Sequence, residues 1–231
     1  MNPISLENFE KKINYIFKNK ELLTLAFTHS SYANENKKGK HENNERLEFL
    51  GDAVLDMVVS EYMYKTFPEM PEGELTKLRA GVVCEPSLAK LARDFDFGSY
   101  LLLGKGEEST GGRNRDSILA DAFEAVIGAV CIDGGILVAS SYIMSYMEQE
   151  IEQMKKSFRT IDCKTRLQEV IQKASKNPVT YAIIDEIGPD HDKIFVAEVY
   201  HESEVLGKGE GKSKKEAEQS AAYDALEKLN K

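Results

Sequence analysis

The chain has 231 residues, of which 42% are hydrophobic and 30% are charged, and its formal net charge is −9. This length suits one large domain or two small ones, and the composition excludes collagen-like and wholly disordered chains. The acidic net charge argues against a general nucleic-acid binder, so a nucleic-acid function would require a local basic face.

Residues 1–150 are predicted to be helical, because apolar residues recur there at helical spacing between short polar connectors. The predicted helices are Leu6–Phe17, Glu21–Phe27, Leu47–Tyr64, Glu74–Ala80, Ser87–Phe95, Ser117–Ile132 and Leu137–Ile151. Prolines and glycines in residues 68–73, and the stretch Gly104–Asn114, indicate connectors.

The pattern changes after a charged segment, which predicts a linker at residues 151–161. The elements predicted beyond it are a helix at Lys164–Lys173, strands at Thr180–Ile187, Phe195–Tyr200 and Glu204–Lys208, and a helix at Ser213–Leu229. This α-β-β-β-α order predicts a small α+β domain at residues 162–231. Both parts are acidic, since residues 162–231 hold 11 Lys+Arg and 14 Asp+Glu, and the rest of the chain holds the remaining 19 Lys+Arg and 25 Asp+Glu.

Neither a membrane segment nor a disulfide framework is expected. No apolar run reaches the roughly 18–20 residues of a membrane helix, and residues 1–12 lack the basic start and apolar core of a signal peptide. Cys84, Cys131 and Cys163 are widely spaced and without metal-ligand spacing. They are expected to be reduced thiols in a cytoplasmic protein.

The helix predicted at Ser117–Ile132 carries two acids in an otherwise apolar sequence typical of a buried helix. Asp121 and Glu124 lie three residues apart and therefore share a face. Buried carboxylates are costly unless they are protonated, paired with a basic side chain or bound to a metal ion. A narrow solvent slot or a salt bridge is the alternative for this pair.

The helix predicted at Leu47–Tyr64, with the residues just before it, carries a second set of acids. Glu45, Glu48 and Asp52 have i, i+3 and i+7 spacing and fall within about 60° of the helix surface. Asp56 projects nearby, and Arg46 could neutralise one acid but not three. A solvated polar face is the alternative interpretation.

Side by side, the two helices would gather up to five carboxylates, which would raise one another's pKa. Mg²⁺ and Mn²⁺ prefer such oxygen ligands, whereas the lack of His or Cys beside the acids disfavours zinc. A pair of such ions can activate a water and stabilise the leaving oxygen of a phosphodiester. The acids therefore predict hydrolysis of a phosphate ester. Glu72 and Glu74 are a third acidic contribution, or else first-turn acids favoured by the helix dipole.

The last predicted helix begins in a local basic face. Ser213 and Glu216 fit a capping box at its start. Three lysines crowd this helix N-terminus, which already attracts anions. They are Lys212, Lys214 and Lys215. The pattern predicts a phosphate-binding end, and ordinary solvated lysines are the alternative.

Four further residues could reach nucleic acid. Gln168 lies on the Lys164–Lys173 helix, and His191 lies in the loop between the first two strands. Arg113 and Arg115 end a glycine-rich loop that could meet a phosphate backbone, although such a loop is more often only a connector. Gln168 and His191 are each, taken alone, more often plain surface residues.

Several segments resemble the ribonuclease III family. NERLEFLGD at Asn44–Asp52 resembles the signature of bacterial ribonuclease III, and DSILADAFEAVIGA at Asp116–Ala129 resembles its second acidic segment. KTRLQE, GPDHDKIF and GKGEGKSKKEAEQSAA resemble parts of a double-stranded-RNA-binding domain. The resemblance covers nearly the whole chain in the expected order.

The resemblance implies an all-α endonuclease domain at residues 1–150 that works as a homodimer, followed by a small α+β double-stranded-RNA-binding domain at residues 162–231. It implies an endoribonuclease that cleaves double-stranded RNA to 5′-phosphate and 3′-hydroxyl ends and processes ribosomal and messenger precursors. The implied cofactor is Mg²⁺, for which Mn²⁺ could substitute. No membrane and no small organic cofactor is expected.

The resemblance also implies roles for individual residues. The matching metal ligands are Glu48, Asp121 and Glu124, and the positions matching catalysis are Asp52 and Glu124. Glu45 and Glu72 match supporting acids, and Phe49 matches an aromatic that enters a pocket of the partner subunit. The RNA-binding residues predicted from the patterns above are Gln168, His191, Lys212, Ser213, Lys214 and Lys215. Glu218 stands where the family often has lysine, which puts a third phosphate contact in doubt.

Two other functions stay open at this point. One is a protein that holds or remodels duplex RNA without cutting it, although the complete acid set argues against this. The other is a structural helical protein whose acids are internally salt-bridged.

Overall fold

The structure, a computed structural model, describes residues 6–37, 39, 41–161, 163–173, 175–189 and 193–229, with the backbone alone at 156–161. The chain divides into two compact units, Met1–Ile151 and Glu152–Lys231. Within the described ranges, no helix is both long and apolar enough to cross a membrane.

The N-terminal unit is helical, which confirms the predicted class. Its helices are α1 (Leu6–Lys12), α2 (Lys20–Ala26), α3 (Ser30–Glu35), α4 (Glu45–Thr66), α5 (Glu72–Val82), α6 (Glu85–Asp94), α7 (Lys105–Ser109) and α8 (Asp116–Gly134). Helix α9 (Ile136–Ile161) begins in this unit and extends past Ile151. Two short 3-10 helices cover Phe97–Tyr100 and Gly112–Asn114.

Helix α8 is the centre of this unit. It is mostly buried over residues 118–130 and packs against α2, α4 and α6. Beside it, the rings of Phe9, Phe27 and Phe97 pack edge to face. A helix that is apolar on nearly all sides is stable only when other elements cover it, and the packing here supplies that cover.

Some boundaries differ from those that the periodicity predicts. Helix α1 ends at Lys12 because Asn14 adopts a left-handed backbone conformation, with φ of 51°. The predicted connector at residues 104–114 contains the short helix α7. Helix α9 continues to Ile161, so the segment predicted as a linker is helical.

The C-terminal unit has the predicted α-β-β-β-α order. Its elements are α10 (Cys163–Gln172), β1 (Val179–Ile187), β2 (Ile194–His201), β3 (Glu204–Gly211) and α11 (Lys214–Leu229). The strands form one antiparallel sheet in the order β1-β2-β3. Side chains of α10 and α11 share an apolar core with this sheet.

Strand β3 and helix α11 are in backbone contact. Glycines alternate along β3 from Gly207 to Gly211, and a β-carbon on any of the three would lie within 2.5 Å of a backbone atom of α11. Ala217, Ala221 and Ala225 are fully buried on α11. Small residues on both elements therefore set their close approach. Leu229, the last residue of α11, is 48% exposed because the helix ends there.

Candidate functional site

Two mid-helix glycines bring α4 and α8 together. A β-carbon at Gly51 would lie 1.8 Å from the carbonyl oxygen of Glu124, and one at Gly128 would lie 2.2 Å from the carbonyl oxygen of Leu47. No side chain fits at either point, so the two backbones touch. This contact sets the distance between the acids of the two helices.

Four predicted acids flank this contact. Glu48 and Asp52 lie on α4, on either side of Gly51, and Asp121 and Glu124 lie on α8. Glu48, Asp121 and Glu124 are partly buried, whereas Asp52 is exposed. The structure thus brings together the four residues for which the family resemblance implies metal binding and catalysis.

The carboxylates destabilise one another's charged form. Burial, followed by repulsion from Asp52, Glu48, Asp121 and Asp56, raises the pKa of Glu124 to about 8. Burial, followed by repulsion from Asp121, Glu45 and Asp52, raises the pKa of Glu48 to about 7. Without a cation these two side chains are held partly protonated near neutral pH.

Asp121 faces a histidine that the sequence did not single out. Burial raises the pKa of Asp121, and the nearby His29 opposes this rise. His29 caps α3, because its Nδ1 accepts a hydrogen bond from the Ser31 N–H at 3.3 Å. A lone histidine carries no spacing signal, so the sequence could not associate it with the acids.

No lysine or arginine of the described chain forms an ion pair with Glu48, Asp52, Asp121 or Glu124. Asp56 does have such a partner, since the Arg79 Nη1 lies 3.7 Å from its Oδ2. A salt-bridged acid set is therefore not what the described residues form. Over these same residues, no group of three or more His, Cys, Asp or Glu side chains is positioned to hold a metal ion without rearrangement.

The donor set nevertheless fits a hard divalent cation. It consists of carboxylate oxygens, half buried, whose mutual repulsion a cation would relieve. Glu48, Asp121 and Glu124 would hold such an ion. The exposed Asp52 and Glu45 would remain accessible to substrate and solvent.

The remaining predicted residues of this unit are Glu72 and Phe49. Glu72 is exposed in the first turn of α5, where its Oε1 accepts a hydrogen bond from the Thr76 hydroxyl at 2.9 Å. Phe49 is 79% exposed on α4 and lines an open pocket of about 550 Å³ with Leu25 and Ile132. A large exposed aromatic beside an apolar pocket is typical of a protein contact.

The glycine-rich loop keeps its arginines in internal contacts. Arg113 donates to the carbonyl oxygen of Leu101 at 2.9 Å and pairs with Glu108. Arg115 pairs with Glu107. Both guanidinium groups therefore hold the loop together, which favours the structural interpretation of this segment.

The start of α11 has the predicted cap. The Ser213 Oγ accepts a hydrogen bond from the Glu216 N–H at 3.2 Å. Glu216 in turn accepts from the Lys212 N–H at 2.8 Å, one residue before the position that a capping box normally uses. Lys212, Lys214 and Lys215 have exposed side chains around this helix end.

The other predicted RNA-binding residues are less open. The Gln168 Oε1 accepts a hydrogen bond from the Val179 N–H at 3.1 Å, so this amide helps to hold β1. His191 lies outside the described residues. Glu218, at the position where the family often has lysine, pairs with Lys164 of α10, whose Nζ lies 4.2 Å from the centre of the Tyr181 ring. The Glu218 carboxylate thus has an ion-pair partner within the C-terminal unit.

The two units match two known families. Residues 19–151 match the family model described as ribonuclease-III-like, and residues 163–229 match the double-stranded RNA binding motif. A helical nuclease unit followed by an RNA-binding unit defines the class of protein.

Curated relatives match nearly the whole chain. Ribonuclease 3 of Caldanaerobacter subterraneus subsp. tengcongensis is 54% identical, over 97% of this chain and 98% of the relative. Ribonuclease 3 of Bacillus cytotoxicus is 52% identical, over 96% of this chain and 90% of the relative. The chain belongs to the ribonuclease III family. It is an endoribonuclease of this type with a double-stranded-RNA-binding domain, as the sequence predicted.

A solved structure agrees with this assignment. The nuclease domain of ribonuclease III from Campylobacter jejuni is 44% identical and superposes with a TM-score of 0.59, over 63% of this chain and 97% of that domain. The family is generally dependent on divalent metal ions.

The two glycines that set the helix contact were not predicted from the sequence. A glycine inside a helix costs up to about 1 kcal/mol relative to alanine, so its presence often indicates close packing. Gly51 and Gly128 each lie within one turn of a predicted acid. A glycine close to an acid on each of two predicted helices was the sequence signal from which the helix contact could have been predicted.

Proposed function

We propose that the four acids of α4 and α8 form a divalent-metal site that hydrolyses phosphodiester bonds of duplex RNA. The observation that carries this proposal is the packing of α4 against α8 at Gly51 and Gly128. It gathers half-buried carboxylates whose pKa is raised and which have no lysine or arginine partner among the described residues. Mg²⁺ is the proposed ion, and Mn²⁺ is expected to substitute.

The proposed role of each side chain follows from whether it is partly buried or exposed. Glu48, Asp121 and Glu124 hold the cation, which when bound neutralises phosphate charge and lowers the pKa of water. Asp52, exposed on the same helix, orients the attacking water and accepts its proton. Water attacks the phosphorus and the bond to the 3′-oxygen breaks, which leaves a 5′-phosphate and a 3′-hydroxyl. Glu45 and Glu72 are proposed as supporting acids that face the substrate or the partner subunit.

A homodimer is the proposed working form. Phe49 is almost fully exposed beside an apolar pocket, so a second copy of the chain could receive its ring. The solved Campylobacter jejuni domain is described as having a region involved in dimer formation. Two sites in a dimer would cut both strands of one duplex and leave short 3′ overhangs.

The C-terminal unit supplies affinity for duplex RNA. Its exposed lysines at the start of α11, Lys212, Lys214 and Lys215, together with Ser213, are proposed to bind phosphates. Such domains read the shape and 2′-hydroxyls of A-form RNA across about 16 base pairs. Gln168 and His191 are proposed as further RNA contacts. Ribosomal and messenger precursors are the proposed substrates.

In this proposal, residues 1–150 are the catalytic and dimerisation domain, residues 151–161 a linker and residues 162–231 the RNA-binding domain. The testing experiment is incubation of the full chain with end-labelled duplex RNA, with Mg²⁺ or with chelator, followed by mapping of the product ends. We expect cleavage only with metal, and products that carry 5′-phosphate and 3′-hydroxyl groups. Equal cleavage in chelator, or products with 3′-phosphates, would contradict the proposed reaction.

A further inference from the structure

One carboxylate lies between two lysines at an end of the C-terminal sheet. Glu186 of β1 is the cross-strand neighbour of Phe195 in β2. Its Oε2 accepts a hydrogen bond from the Lys193 Nζ at 3.1 Å, and its Oε1 lies 3.8 Å from the Lys214 Nζ. Each oxygen of the carboxylate therefore faces a different lysine.

A second contact holds Lys214 at this end of the sheet. Its Nζ lies 5.7 Å from the centre of the Phe195 ring, which is within the range of a cation–π interaction. Lys214 is also the first residue of α11, where free N–H groups and the helix dipole attract anions. Glu186 thus contacts a lysine that lies at the proposed phosphate-binding end of α11.

We propose that Glu186 sets the RNA affinity of this enzyme by competing with phosphates for Lys193 and Lys214. This inference rests on the RNA-binding surface proposed above. A phosphate that approaches either lysine must displace the carboxylate or meet its negative charge. Because the Glu186 side chain is 40% exposed, its ion pairs are weak enough for RNA to displace.

This competition has a consequence for selectivity. Phosphate contacts provide nearly all of the affinity in non-specific binding to any nucleic acid. A-form shape and 2′-hydroxyls distinguish duplex RNA from other nucleic acids. A carboxylate that lowers only the phosphate contribution weakens indiscriminate binding. Duplex RNA that makes the remaining contacts is still bound.

The test measures duplex RNA binding by the full chain in chelator, so that no cleavage occurs. We expect Glu186→Gln to lower the Kd about three- to tenfold at low salt. The plot of log K against log salt concentration should steepen by the amount expected for about one additional phosphate contact.

Glu204→Gln is the matched control, because it removes the same charge at the opposite end of the same sheet, where Glu204 pairs with His201 across the strands. It should change the Kd by less than about twofold. Melting temperatures of both variants check the fold.

Two further variants identify the cause of any change. In a chain that already carries Lys193→Ala and Lys214→Ala, the Glu186→Gln change should have no effect, and equal tightening there would overturn the inference. Lys214→Ala with Lys215→Ala should weaken binding and flatten its salt dependence. Unchanged binding in that variant would contradict the RNA-binding surface itself. Weakened binding there, together with a Glu186→Gln chain that binds no more tightly than Glu204→Gln, would contradict only the role of Glu186.

Discussion

Replacing Glu124 by glutamine is expected to abolish cleavage and, at the same time, to stabilise the metal-free protein at pH 8. Glutamine keeps the size of the side chain but removes the charge that the proposed cation requires. Loss of one ligand from such a site should lower the cleavage rate about a thousandfold. Binding of duplex RNA should be unchanged in chelator, because the RNA-binding residues lie in the other unit.

The stabilisation follows from the raised pKa of Glu124. This pKa is about 8 in the folded chain, against 4.5 as the ordinary value for glutamate. Between these pH values the folded chain retains a proton that the unfolded chain has released, so the free energy of unfolding falls as pH rises. Glutamine has no proton to retain. In chelator, melting temperatures of the two chains should agree near pH 4, below the ordinary pKa, and the variant should melt higher at pH 8.

The control for Glu124→Gln is Asp116→Asn on the same helix. Asp116 is an acid in the first turn of α8 that pairs with Arg93, away from the four acids. This variant should cleave RNA at nearly the parent rate. If Glu124→Gln cleaved RNA as fast as Asp116→Asn, Glu124 would not belong to the active site.

Adding a single methyl group at Gly51 is expected to destabilise the nuclease unit and to impair cleavage. Alanine ordinarily stabilises a helix interior by up to about 1 kcal/mol relative to glycine. At Gly51, however, the new carbon would lie 1.8 Å from the carbonyl oxygen of Glu124. The helices must separate to admit it, which costs about 1–3 kcal/mol and moves Glu124 itself. Thermal unfolding and cleavage rate measure the two effects.

Gly73 offers the same substitution without the contact. It lies in α5, and apart from its chain neighbours and the backbone of its own helix, no described atom lies within 4 Å of the β-carbon that alanine would add. Gly73→Ala should therefore raise the melting temperature slightly and leave cleavage intact. Equal melting temperatures for the Gly51→Ala and Gly73→Ala variants would show that α4 and α8 are not held at backbone contact.

Much of the fold could be predicted because burial leaves a strong periodic pattern. The α8 sequence is apolar on nearly all sides, and the alternation of β-branched and aromatic residues in β1 and β2 is equally clear. The ends of elements were harder to predict. Asn14 stops α1 through a single left-handed φ angle, which apolar periodicity does not register.

The acids of the candidate site could also be found from the sequence, because a carboxylate in an apolar helix is conspicuous. Ion pairs between residues that are distant in the sequence could not be predicted in this way. Whether Glu218 meets an RNA phosphate or Lys164, and whether Glu186 meets solvent or two lysines, depends on which elements pack together. Charge counts show only that the C-terminal unit is acidic overall, and not where its lysines are engaged.

A doubly charged cation is proposed to bind among Glu48, Asp121 and Glu124. The most direct measurement is diffraction from crystals of the full chain soaked in Mn²⁺, collected to reveal the anomalous signal of manganese. We expect a peak within about 2.2 Å of carboxylate oxygens from at least two of these residues. A map without a peak there, with a lysine or arginine side chain between the carboxylates, would contradict the claim.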